Sequence, residues 1–130
     1  MDTKKPITKI YRIKAPISEV WRALTDKKYI EGWGGGPAEM DDKAGSEFSL
    51  WGGDIHGKNI EVKPSKKLVQ EWYGGKWQNP SILTFELKRE DGGMTLMLTQ
   101  TDVPKEEYSD IDAGWDDYYL GPLKEYLESK

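Results

Sequence analysis

Apolar and polar side chains alternate with a period of two along most of this chain, and that period predicts strands. Residues 7–14 start the pattern, with Ile7, Lys9, Tyr11 and Ile13 on one side and Thr8, Ile10, Arg12 and Lys14 on the other. Ala15-Pro16 ends this strand and prepares a helix start, because proline fits a first helical turn, where its missing N–H would have had no partner. The next segment changes period. Ile17, Val20, Trp21 and Leu24 recur at three and four, which predicts a short helix with those residues inward. Thr25-Asp26 breaks it and caps a second short helix running through Tyr29, Ile30 and Trp33. Gly34-Gly35-Gly36-Pro37 stops that helix and predicts a mobile turn. The period of two then returns over residues 38–41, 47–51, 55–63, 67–72, 81–89 and 94–101, between turns rich in glycine, proline and aspartate. Glu90-Asp91-Gly92-Gly93 is the clearest hairpin among them.

From Asp110 onward the period is helical again. Ile111, Trp115, Tyr119, Pro122, Leu123, Tyr126 and Leu127 share one face and the other face is charged. Asp110 or Asp112 is the expected N-cap, and the acidic first turn complements the helix dipole. Pro122 falls inside this helix, where it removes a backbone hydrogen bond, and predicts a kink near Leu120. An antiparallel sheet with one apolar face needs a cover, and this helix is the one available. The expected fold is therefore α+β: a curved antiparallel sheet of six or seven strands wrapped around a long C-terminal helix, with two short helices after the first strand. One domain over residues 1–130 accommodates it.

Composition changes this picture in two places. Only 36% of the 130 residues are hydrophobic, but six are Trp and seven are Tyr, so much of the apolar area sits in a few large rings. There is no cysteine, hence no disulfide and no thiolate metal site. No apolar run is long enough to span a bilayer, and the first residues lead straight into a strand rather than a secretory leader. A cytoplasmic location without membrane insertion is expected, as a monomer or, alternatively, a dimer. The net charge of −4 argues against a nucleic-acid partner. That charge is uneven: residues 105–130 hold three lysines against eight acids, a balance of −5, whereas the preceding 104 residues balance to +1. An acidic helix beside local basic residues, Lys58, Lys63, Lys66, Lys67 and Lys76, is either an ordinary solvated surface or a surface that steers a protein partner.

Catalytic candidates are few. The single histidine, His56, lies beside glycine near a turn, the usual place of an exposed strand-end residue. The pairs Asp41-Asp42, Glu106-Glu107 and Asp116-Asp117 are adjacent in sequence, and neighbours on a helix or strand point in different directions, so none forms an acid–base dyad. The three glycines before Pro37 lack a preceding strand and a following Gly-Lys-Ser/Thr, which removes a phosphate-loop assignment. No serine sits in a Gly-x-Ser-x-Gly elbow. No cofactor is expected. The aromatic residues are more informative: Trp33, Trp51, Trp72, Tyr73, Trp77, Trp115, Tyr118 and Tyr119 either fill the space beneath the long helix or line a pocket for a flat or acyl ligand.

At this point the chain resembles a known family. The run Ala15-Pro16-Ile17-Ser18-Glu19-Val20-Trp21-Arg22-Ala23-Leu24-Thr25-Asp26 and the later Gly92-Gly93-Met94-Thr95-Leu96-Met97-Leu98-Thr99-Gln100-Thr101-Asp102-Val103-Pro104 are similar to the START/Bet v 1-like helix-grip superfamily. The closing Gly114-Trp115-Asp116-Asp117-Tyr118-Tyr119-Leu120-Gly121-Pro122-Leu123-Lys124 resembles its branch related to the activator of Hsp90 ATPase. Gly36-Pro37-Ala38-Glu39-Met40, followed by Gly45 through Gly57, is similar to the C-terminal domain of that co-chaperone. The resemblance covers residues 7–129. It implies a cavity between sheet and helix, for which Trp33, Met40, Trp51, Trp72, Trp77, Phe85, Trp115 and Tyr119 are the ligand-binding candidates. It also implies contact with an Hsp90-type chaperone, for which Lys58, Lys63, Lys66, Lys67, Asp116 and Asp117 are the partner-binding candidates. The function expected is that of a non-enzymatic binding module. Binding of a small apolar ligand is the alternative, and a cyclase or hydrolase using the cavity, with His56 or a buried Glu as base, is the third.

Overall fold

The computed structural model describes residues 5–74 and 77–129. β1 (Ile7–Ile13) leads into α1 (Ile17–Thr25) and α2 (Lys27–Trp33); then follow β2 (Glu47–Leu50), β3 (Ile55–Lys63), β4 (Lys67–Gly74), β5 (Ser81–Glu90) and β6 (Gly93–Thr101). The six strands form one antiparallel sheet in the order β1-β6-β5-β4-β3-β2. The chain ends in a continuous helical stretch made of α3 (Tyr108–Gly114), a π-helical turn (Trp115–Leu120) and α4 (Gly121–Glu128).

Local chemistry accounts for most of these boundaries. Pro16 is the N-cap of α1 at φ −60°, and the Asp26 side chain accepts from Lys28 N at 2.9 Å to cap α2. α2 ends on Gly34, whose φ of 107° suits glycine and lets Gly34 N and Gly35 N close the last turn onto Glu31 O and Ile30 O. The glycine run is tied down: Trp51 donates its indole N–H to Gly34 O at 2.9 Å and its backbone N–H to Gly35 O at 2.8 Å. Asp91-Gly92 turns the β5–β6 hairpin, with Gly92 at φ 75° and Glu90 opposite Gly93.

Three expectations are corrected. Residues 38–41 are no strand; only Glu39 bridges Ser49, and the chain then turns away because Asp41 O is held by the Asn59 side chain. β2 stops at Leu50, and Trp51 at φ 50° opens a short 3-10 turn. The final helix starts at Tyr108, two and four residues before the expected caps, and neither Asp110 nor Asp112 caps it.

Near Leu120, where Pro122 led to the expectation of a kink, the structure has the π turn, and the spacing of the apolar residues explains it. Ile111, Trp115, Tyr119, Leu123 and Leu127 recur strictly at four. On an α-helix each step of four overshoots a full turn by about 40°, so the stripe would drift by about 160° from first to last. A π turn takes up one extra residue and withdraws about 100° of that drift. Trp115, Tyr119, Leu123 and Leu127 thereby all reach the interior, joined by Leu120. Gly121 and Pro122 are matched to the turn. A Cβ on Gly121 would lie 2.1 Å from Asp116 O, and Pro122 has no N–H to contribute where the ladder shifts.

One face of the sheet carries Leu68, Gln70, Trp72, Leu83, Phe85, Leu87, Met94, Leu96, Leu98 and Gln100, all buried beneath the helix. The other face is turned outward and holds the exposed Ile10 and Met97, cross-strand neighbours on β1 and β6.

Candidate functional site

The space between sheet and helix is occupied by rings. Tyr119, supplied by the π turn, stands at their centre, with ring centroids 4.5 Å from Trp33, 4.7 Å from Trp115, 5.8 Å from Phe85, 6.0 Å from Trp72 and 6.2 Å from Trp51. Trp72 and Trp115 lie 4.9 Å apart. Five of the ligand-binding candidates, Trp33, Trp72, Phe85, Trp115 and Tyr119, are buried here at 5% exposure or less. Trp51 packs against the cluster while half-buried, and Met40 lies at its edge. Trp77 does not join them. It sits at the end of the sheet, donating to Glu107 at 2.5 Å, on the wall of an open 920 Å³ hollow with Pro80, Val103, Pro104 and Tyr108.

Polar side chains run through this apolar interior. Trp72 donates its indole N–H to Gln70 at 2.8 Å, Gln70 donates to Asn59 at 2.8 Å, and Asn59 donates to Asp41 O at 2.8 Å and to the Ser46 hydroxyl at 3.1 Å. This chain of amides ties the loop at residues 41–46 to the ring cluster. On the other side Trp115 donates to Gln100 at 2.7 Å. Sequence reasoning missed Asn59, Gln70 and Gln100. The signal was available for two of them, because Gln70 alternates with Leu68 and Trp72, and Gln100 with Leu96 and Leu98, on strands whose inner face is buried. Gln100 Nε2 and the Tyr119 hydroxyl are buried in this region and have no hydrogen-bond partner among the described residues. Burial pushes the Tyr119 phenol above its ordinary pKa.

A second polar group fastens the helix to β1. Lys9 and Tyr11 share the inner side of that strand; Lys9 Nζ lies 2.8 Å from Asp116 and 3.2 Å from Asp112, and Tyr11 donates to Asp116 at 2.5 Å. These two donors, Lys9 first, hold the Asp116 carboxyl below its usual range. Burial works to lower the Lys9 ammonium, but its bonds to Asp116 and Asp112 outweigh it and raise the group. Burial and the same carboxylate raise Tyr11. At the far end of the helix Glu128 accepts from Lys14 N and from Lys124, each at 2.8 Å.

The partner-binding candidates fall on separate elements. Asp116 is engaged in the contact with β1, and Asp117 is exposed. Lys63 and Lys67 flank Glu61 at 3.5 and 3.7 Å, and Lys66 is exposed in the turn between β3 and β4. Lys58 projects from the outer sheet face between Glu47 and Glu71, and Lys76 lies outside the described residues.

His56 is the exposed strand-end residue that its sequence position suggested, which bears on the alternative of a base in the cavity. It pairs across the sheet with Ser49 and Tyr73, on the outer face, and its exposed ring stacks on Tyr73 at 5.5 Å and 8°. It therefore lies on the opposite side of the sheet from the ring cluster and is no base for chemistry there. Among the described residues no group of His, Asp and Glu has the arrangement of a metal site, and no helix is long and apolar enough to cross a membrane.

This architecture recurs in solved structures. A protein of Mesorhizobium loti superposes with a TM-score of 0.84 at 24% identity, covering 97% of this chain and 98% of its own. An Hsp90 activator from Plasmodium falciparum superposes with a TM-score of 0.82 at 26% identity, covering 98% and 97%. In sequence, the activator of 90 kDa heat shock protein ATPase homolog of Dictyostelium discoideum is 26% identical over 129 residues, which cover 94% of this chain. The chain spans about a third of the length of the curated relatives it matches. Residues 14–128 match a single family, and with the helix-grip arrangement of sheet and helix they place the chain in it: the protein belongs to the family of Activator of Hsp90 ATPase homolog 1-like proteins.

Proposed function

We propose that this chain is a non-catalytic binding module that docks on an Hsp90-type chaperone. The observation carrying this proposal is the occupation of the space between sheet and helix by Trp33, Trp72, Phe85, Trp115 and Tyr119, whose buried rings pack on one another. With the interior taken up by side chains, recognition falls to the outer surfaces. The names of the Dictyostelium and Plasmodium relatives indicate the partner class. The test is co-purification with, and ATPase stimulation of, the Hsp90-type chaperone of the same organism. Saturable binding supports the proposal, and its absence at tens of micromolar chain removes it.

A second reading has one observation in its favour. Gln100 Nε2 and the Tyr119 hydroxyl are buried without partners among the described residues, and a buried donor left unsatisfied is destabilising by about 1–3 kcal/mol. A small guest with a hydrogen-bonding group would relieve that. Tryptophan emission reports on it directly, since Trp33, Trp72 and Trp115 surround the Tyr119 ring. If fatty acids, sterols and flat aromatic compounds leave both emission and Tm unchanged, this reading is removed.

A further inference from the structure

The π turn has a second consequence, on the outside of the helix. Uninterrupted α-helical spacing would set Tyr118 about 60° from Trp115, at the margin of the buried stripe. The wider turn swings it outward, and Tyr118 is 68% exposed while Tyr119 and Leu120 beside it are 1% exposed. Its ring runs past Gly114, whose absent Cβ would stand 3.8 Å from Tyr118 Cδ2, so nothing shields it on that side. Asp110, Gly114, Tyr118, Pro122 and Glu125 follow one another along this row of the helix, with Asp117 adjacent. Asp110, Asp117 and Glu125 make no ion pair with any described residue, unlike Asp112, Asp116 and Glu128.

We infer that this row is the docking face, with Tyr118 as its anchor and the three free carboxylates as its rim, and that its occupant is a basic surface on the chaperone partner with a recess for one phenol ring. The inference rests on the proposed function above. Charge complementarity selects the occupant, since the only cationic side chain on this stretch, Lys124, is already held by Arg12 O and Glu128. An exposed aromatic inside a charged rim is also the usual make-up of an interface hot spot, where a few Trp, Tyr and Arg side chains dominate affinity. Rim charges act mainly on the association rate and its salt dependence.

The experiment titrates the full chain against the Hsp90-type chaperone of the same organism at low and physiological salt. The variants are Tyr118→Ala, Tyr118→Phe, the double change Asp110→Lys with Asp117→Lys, and Met97→Ala on the outer sheet face. Tyr118→Ala is expected to weaken binding at least about tenfold, and Tyr118→Phe to stay near wild type because the hydroxyl has no partner among the described residues. The double change is expected to weaken binding and flatten its salt dependence, whereas Met97→Ala binds as wild type; all four remain folded, and only the double change loses a few degrees of Tm, because Asp110→Lys reverses a charge in the first helical turn. Wild-type binding by both Tyr118→Ala and the double variant overturns the inference and leaves the proposed function standing. Failure of the wild type to bind overturns both. Concentration-dependent self-association abolished by Tyr118→Ala assigns the face to a second copy and overturns the inference as stated.

Discussion

Replacing Gly121 by alanine should destabilise this protein, although the same change at an ordinary helical glycine stabilises by up to about 1 kcal/mol. The added Cβ would stand 2.1 Å from Asp116 O, more than an ångström inside normal contact, and the atom it meets is backbone of the same π turn. Two responses are available. The turn distorts, an overpacking that costs about 1–3 kcal/mol and occasionally more. Alternatively it reverts to α-helix, which rotates everything beyond by about 100° and draws Leu123 and Leu127 out of the core. Each of those leucines contributes about 1.5–3 kcal/mol of burial, so reversion is the costlier route. A clash this close with backbone belongs at the upper end of that range, about 3 kcal/mol, and offset by about 1 kcal/mol from the better helix propensity of alanine it leaves a net loss of about 2 kcal/mol. At roughly 2.1 cal/mol/K of unfolding entropy per residue, a chain of 130 residues loses about 4 °C of Tm per kcal/mol, hence about 8 °C here. Gly114→Ala is the matched control: same helix, φ −62°, and only the Tyr118 ring 3.8 Å away. It should hold Tm or raise it by a few degrees. Differential scanning calorimetry of both variants decides, and a Gly121→Ala protein as stable as Gly114→Ala would refute the account of the π turn.

Other outcomes follow from the same geometry. Asp116→Asn lowers Tm at neutral pH; because Lys9 and Tyr11 depress the Asp116 pKa, the stability it brings is present above the unfolded value near about 4 and lost as pH falls through the folded value. The gap to wild type should therefore close in acid, and a gap unchanged at pH 2 contradicts the assignment. Asn59→Ala deprives Gln70 Nε2 and Asp41 O of their bonds and should lower stability by about 2 kcal/mol in urea unfolding, with the near-ultraviolet signal of Trp72 altered. Wild-type stability in that variant would mean the amide chain carries nothing. His56→Ala, exposed on the outer sheet face, should change stability by less than about 0.5 kcal/mol and leave chaperone binding intact.

Much of the fold was legible in the pattern of side chains, because its signals are local. Pro16 and Asp26 mark helix starts by their own hydrogen-bonding chemistry, and the alternation around Leu83, Phe85 and Leu87 identifies a half-buried strand without reference to its partners. Contacts that join distant segments were not legible. Lys9 and Asp116 stand 107 positions apart, and nothing in either segment names the other. Residues 38–41 alternate like a strand, yet a bond from Asn59 diverts the chain after one bridge. The π turn lies between these cases: the strict spacing of four from Ile111 to Leu127 contains it, but only once the helix is known to need a straight inward stripe. In the candidate site, the rings on the inner sheet face and the long helix came together because one period placed each of them. Trp77 stands apart because its position follows from a connection between strands, where no period applies.

The central claim is that this module acts through its outer surface on a chaperone partner, and isothermal titration of the full chain into the Hsp90-type chaperone of the same organism tests it most directly. The account predicts a saturable isotherm that weakens as salt rises from low to physiological levels; a flat isotherm under both conditions would contradict it.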